Sequence, residues 1–121
     1  MTVPRAVLLA VVCAALVAVP ALAAKRPTII ATPNPVKAGH TVTIHGIVPG
    51  CPRGDQLTLI SQAFSHRHDF AGLPAIFATI KAHSAYTVTT RIPATKTRGP
   101  YAISGRCGGG NIGVTRVLNV R

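Results

Sequence analysis

From Pro27 to the end of the chain, apolar and polar residues alternate with a period of two, and turn residues interrupt them at short intervals. That pattern predicts half-buried strands rather than helices. In the stretch 40–48, Val42, Ile44 and Val48 share one side, while Thr41, Thr43 and His45 take the other. Similar alternation predicts strands over 28–32, 56–64, 76–80, 85–92, 101–107 and 112–120. Pro33-Asn34-Pro35, Pro49-Gly50-Cys51-Pro52, the polar stretch 93–100 and Gly108-Gly109-Gly110-Asn111 punctuate them, and 65–74 is the least regular segment. Arg116 falls on the inward parity of Ile112, Val114, Leu118 and Val120, so the last strand carries a bulge near Thr115 or sets Arg116 at a rim. Seven short strands with frequent turns predict one all-β domain, an antiparallel sandwich of two packed sheets. Tyr101, just after Gly99-Pro100, occupies the place of a tyrosine corner.

The first residues follow a different rule. Arg5 is the only charge before an apolar run over 6–24, and Ala21-Leu22-Ala23 supplies a small-x-small site. This predicts a cleaved signal peptide over 1–23 and a mature domain over 24–121, with no membrane span left after cleavage. Pro20 and the alanine-rich end favour cleavage over an anchor, and Val12 before Cys13 departs from a lipoprotein signal. Export leaves Cys51 and Cys107 as the two cysteines of an oxidised compartment, and predicts a disulfide between them. A crosslink closing so long a loop contributes about 4 kcal/mol in the chain-entropy view.

The run Ala31-Thr32-Pro33-Asn34-Pro35-Val36-Lys37-Ala38-Gly39-His40-Thr41-Val42-Thr43-Ile44-His45-Gly46 resembles the opening of bacterial immunoglobulin-like domains. Those begin with a Pro-rich strand, a Val-x-x-Gly turn and an alternating strand ending in Gly. Gly99-Pro100-Tyr101-Ala102-Ile103-Ser104-Gly105-Arg106-Cys107-Gly108 is similar to their Tyr-bearing sixth strand, and residues 63–72 resemble small secreted actinobacterial proteins of unassigned activity. The resemblance covers most of the mature chain and implies a seven-stranded Greek-key immunoglobulin-like sandwich used for binding. Bacterial sandwiches that carry antibiotic chromophores are broadly similar and also have loop-tying disulfides, but this chain lacks their second bridge. Cys51 lies beyond the second strand and Cys107 ends the sixth, so the bridge is expected to tie loops at one pole instead of crossing the core.

Charge narrows the function. The chain carries 13 Lys and Arg against Asp55 and Asp69, with no Glu; losing Arg5 with the leader takes the net charge from +11 to +10. Such a surface attracts anionic envelope polymers, anionic lipid head groups or another envelope protein, and equally keeps a secreted monomer from aggregating. Nucleic acid is a poor fit, because two Tyr and three Phe, dispersed, make no stacking platform. Arg53, Arg67, Phe70, Arg106 and Asn111 mark the candidate binding loops. Arg53-Gly54-Asp55 spells an integrin tripeptide, although Gly-Asp before a strand is also ordinary turn chemistry. Ile60, Phe64, Phe70 and Phe77 offer either an apolar patch beside the irregular segment or core residues.

His66-Arg67-His68-Asp69 is the one cluster of ligand-type side chains. In an extended segment His66 and His68 project to one side and Asp69 would close around zinc or copper, but a strong site needs three or four ligands. Ser65 beside His66 and Asp69 invites a triad reading, yet no nucleophile elbow accompanies it. Two carboxylates leave little for acid–base catalysis. The sequence therefore predicts a secreted, non-enzymatic, cofactor-free binding module at the cell envelope. Its rival is a metal or small-ligand carrier centred on His66 and His68.

Overall fold

A computed structural model describes residues 25–121; the expected leader over 1–23, with Arg5 and Cys13, lies outside them. The described chain is all-β, with nine strands: β1 (Ile30–Thr32), β2 (Thr41–Ile47), β3 (Gln56–Ile60), β4 (His68–Phe70), β5 (Leu73–Thr79), β6 (Ala85–Arg91), β7 (Gly99–Cys107), β8 (Gly110–Asn111) and β9 (Arg116–Val120). One sheet has the order β1-β2-β6; the other runs β4-β5-β3-β7-β8, with β9 also pairing β7. Every named ladder is antiparallel. The alternating residues Val42 and Ile44 of one sheet meet Leu57, Leu59, Ile103 and Leu118 of the other in a shared core, all fully buried.

Nine strands stand where seven were expected, for two local reasons. The irregular segment contains β4, which pairs with β5 through the two-residue loop Ala71-Gly72. Both loop residues have positive φ, 50° and 81°, the primed-turn geometry that suits strand twist. The final strand is interrupted. Between the pairs Ile103↔Arg116 and Arg106↔Asn111, β7 advances three residues while its partner advances five. The two extra residues form a bulge in which Gly113 (φ 80°) donates its N–H to Asn111 Oδ1 at 2.7 Å. Arg116 ends exposed beyond it, as the parity conflict required.

The third strand is shorter than its alternation implied. At Ser61, 2% exposed, the chain turns: Ser61 Oγ accepts Ala63 N–H and Ser61 O accepts Phe64 N–H. This turn sends Phe64 into the main core at 0% exposure. Tyr101 donates its hydroxyl to Thr97 O, four residues upstream, which makes the corner that sequence placed there. The first strand ends at Pro33 and Pro35, which have no N–H to give a sheet. Asn34 replaces the missing groups with its side chain, donating to Val117 O (2.8 Å) and accepting from Asn119 N–H (2.9 Å). The chain then crosses to the other sheet, where Val36 bridges Val120 in parallel.

Candidate functional site

Strand reversal sorts the connections into two poles. Segments 33–40, 61–67 and 92–98 gather at one pole with Arg121; segments 48–55, 80–84 and 108–109 gather at the other. The disulfide lies at the second pole. Cys51 and Cys107 are joined, with Cα atoms 6.2 Å apart, so the crossing loop between the sheets is pinned to the end of β7. Arg53 is exposed in that loop, whose backbone is fixed by Gly54 N–H to Ile80 O (2.8 Å) and Ile80 N–H to Asp55 O (2.9 Å).

Arg106 and Phe70 meet on the outer face of the larger sheet, the guanidinium carbon 5.0 Å from the ring centroid. Arg106 also donates to Gly109 O at 2.7 Å, while its buried Nε has no partner. His68 stacks at a tilt on Phe77, 5.0 Å between ring centres. Ile60 and Ala75, 8% and 0% exposed but outside the main core cluster, belong to this same outer face. Phe70 and Phe77, both half-buried, share this outer face with Ile60, and Phe64 does not belong to it. Asn111 is exposed at the bulge, its Oδ1 occupied by Gly113.

The histidine cluster separates. His66 Nδ1 lies 3.2 Å from Asp69 Oδ1, forming the single ion-pair geometry among the described residues. His68 turns away to Phe77, and His40, His45 and His83 lie in a polar connection, on β2 and beside β6 respectively. Among the described residues, the one group of three ligand atoms close enough to share a metal is Cys51, Asp55 and Cys107, and its sulfurs are bonded to each other. No described hydrogen bond joins Ser65 to His66; the His66 ring meets Asp69 instead.

Cationic residues share concave space at both poles: Arg53 and Lys81 line a cavity of about 490 Å³ at the second, and a larger group gathers at the first. Arg91 ends β6 directly opposite Thr41 of β2. Its Nε donates to Gly39 O (2.8 Å), and Gly39 N–H donates in turn to Ile92 O (2.8 Å). Gly39 has φ 84°, and a Cβ there would stand 3.3 Å from Ala94 Cβ, so this turn takes glycine on both counts. Arg121 is fixed beside Lys37 by two backbone bonds, Ala38 N–H to Arg121 O (3.0 Å) and Arg121 N–H to Val36 O (2.9 Å).

Two cavities share Arg91. One, about 550 Å³, is lined by Ser65, Arg67, Thr90, Arg91, Pro93 and Ala94. The other, about 530 Å³, is lined by Lys37, His40, Thr41, Arg91 and Arg121 with Pro33, Pro35 and Gly39. Both fall in the size range of small-ligand sites. Neither the Asp55 nor the Asp69 side chain lines either cavity, and among the described residues no ion pair engages Lys37, Arg67, Arg91 or Arg121. A concave surface of one charge sign focuses potential and raises the local concentration of anions. Guanidinium forks and threonine or serine hydroxyls are the donors that phosphate and carboxylate oxygens take.

No protein-family model matches this chain, and no curated protein matches it either. Among solved structures it is similar to the Pseudomonas fluorescens alkylpurine DNA glycosylase AlkC bound to DNA containing an abasic site analog, with TM-score 0.48 and 14% identity. The match covers 78% of this chain but 29% of that one, and at this score it carries no functional argument.

Of the residues singled out from sequence, Ser65 and Arg67 line the first cavity. Lys37, Arg91 and Arg121 went unmarked because they lie far apart along the chain and share no local motif. The signal that places them is strand parity: successive reversals put alternate connections at the same end.

Proposed function

We propose that the chain is a secreted, non-enzymatic immunoglobulin-like module that binds an anionic polymer of the cell envelope. The observation that carries this is the pair of cavities joined at Arg91, lined by cationic side chains with no ion pair among the described residues and by no Asp or Glu side chain. The strand order supports the immunoglobulin-like part: β1, β2 and β6 face β5, β3, β7 and the interrupted β8–β9, which correspond to the seven expected strands, and β4 is an added edge. A tyrosine corner on β7 agrees with it. The joined Cys51–Cys107 pair supports an oxidised destination. Asp55 lies just before β3, beside Ile80 after the end of β5, whereas Asp69 pairs with Pro74 near the start of β5; this separation of the two Asp residues supports the non-enzymatic part.

Co-sedimentation with purified anionic wall polymer tests the proposal, with a neutral polysaccharide as control. Binding should appear on the anionic polymer alone and fall away as salt shortens the Debye length from about 10 Å at 0.1 M to about 3 Å at 1 M. Equal retention on the neutral polysaccharide, or retention indifferent to salt, would contradict it.

A further inference from the structure

We infer that the two cavities act as one bipartite site, which takes a linear polyanion with oxyanion groups in both cavities and Arg91 bridging them. The inference rests on the anionic-polymer reading and adds to it a ligand class: repeating phosphate or carboxylate groups along a flexible chain, not an isolated anion.

The geometry supplies three reasons. Arg91 lines both cavities, and its Nε is committed to Gly39 O, which orients the guanidinium while its terminal nitrogens have no recorded partner. Each cavity has its own second cation source: Arg67 in one, Lys37 and Arg121 in the other. Each also offers a hydroxyl from the paired strands, Thr90 on β6 and Thr41 on β2. Asp69, the carboxylate nearest in sequence to Arg67, faces His66, and so does not neutralise the site. Backbone bonds brace the connecting segments on either side of Lys37, so little ordering is left to binding.

A single phosphate or carboxylate engages one cavity at a time. A chain with groups in both converts the second contact into an intramolecular step, which strengthens binding by about a hundredfold or more when the spacing fits. Titration calorimetry on the disulfide-intact protein tests this with two ladders: orthophosphate, tripolyphosphate and long-chain polyphosphate, and acetate, triglutamate and polyglutamate. The expected result is a jump in affinity per charged group between the single anion and a longer member of at least one ladder. Whichever ladder shows it identifies the oxyanion.

Arg67→Ala and Lys37→Ala remove side chains with no recorded hydrogen bond, so both variants should fold. Each should weaken the long ligand about tenfold, the value of one charge-assisted contact. Lys96→Ala, at the same pole but outside both cavities, should change affinity less than twofold. Affinity that merely scales with charge count, or equal losses in all three variants, would overturn the bipartite site while leaving polymer binding intact. Failure of every polyanion to bind at low salt would overturn both.

Discussion

Gly46→Ala tests how the first strand is seated, and its effect can be worked from the atoms around it. A Cβ on Gly46 would fall well inside contact distance of the Thr28 carbonyl oxygen, 2.8 Å from its carbon and 2.7 Å from Thr28 Oγ1. Thr28 cannot simply retreat. Its carbonyl accepts the hydroxyl of Tyr86 (2.7 Å), its N–H donates to Ile47 O (2.9 Å), and its Oγ1 accepts Ile47 N–H (3.0 Å). Displacing Thr28 loses these three bonds and strands a buried phenol, together about 3–5 kcal/mol. For a domain of this size that lowers Tm by roughly 15–30 °C. Thermal melts followed by circular dichroism provide the assay, with Gly50→Ala as control. Gly50 has φ 85° and nothing near its missing Cβ, so Ala there costs only the left-handed conformation, about 1–2 kcal/mol. Gly46→Ala combined with Tyr86→Phe should be less destabilising than the sum of the two. A Gly46→Ala protein within about 1 kcal/mol of the parent would show that Thr28 is not held against Gly46 by these bonds.

Burial pushes the Tyr86 phenol above its ordinary value of 10.0, so the folded state holds its proton where the unfolded chain releases it. Stability from this residue is complete below about pH 10 and falls above it, by up to about 1.4 kcal/mol per pH unit. Urea titrations should show a shallower alkaline loss in Tyr86→Phe. Asn34→Ala removes both side-chain bonds to β9 and should cost about 1–3 kcal/mol in the same assay. Replacing Cys51 and Cys107 together by Ala should lower stability by about 2–4 kcal/mol, and reductant should then no longer shift the unfolding curve. Tyr101→Phe loses the bond to Thr97 O and should cost about 1 kcal/mol.

Sequence alone carried the sheet content well, because period-two alternation reports burial directly and Val42, Ile44, Leu57, Leu59 and Ile103 are all buried as that alternation requires. It carried Tyr101 and the Cys51–Cys107 pair for equally local reasons. It missed β4 because Ala71-Gly72 lacks the Asn or Asp that announces a two-residue hairpin, and it ran β3 through Ser61 because the Ser61 turn leaves apolar alternation intact. The site was the least legible part. His66 and His68 are adjacent in alternation, yet β4 pairing turns His68 toward Phe77, a contact set by register with β5. Lys37, Arg67, Arg91 and Arg121 share a pole through tertiary pairing, and only a count of strand reversals would have grouped them.

In the proposed binding mode, placement of charge and not its total selects the ligand. Retention on anionic wall polymer should therefore be compared between two variants of equal net charge. One carries Lys37, Arg91 and Arg121 changed to Gln; the other carries Arg53, Lys81 and Arg116 changed to Gln, all outside the Arg91 cavities. The first variant should lose retention while the second keeps it at the parent's salt dependence. Equal loss in both would show that the polymer responds to overall charge and would contradict a built site at Arg91.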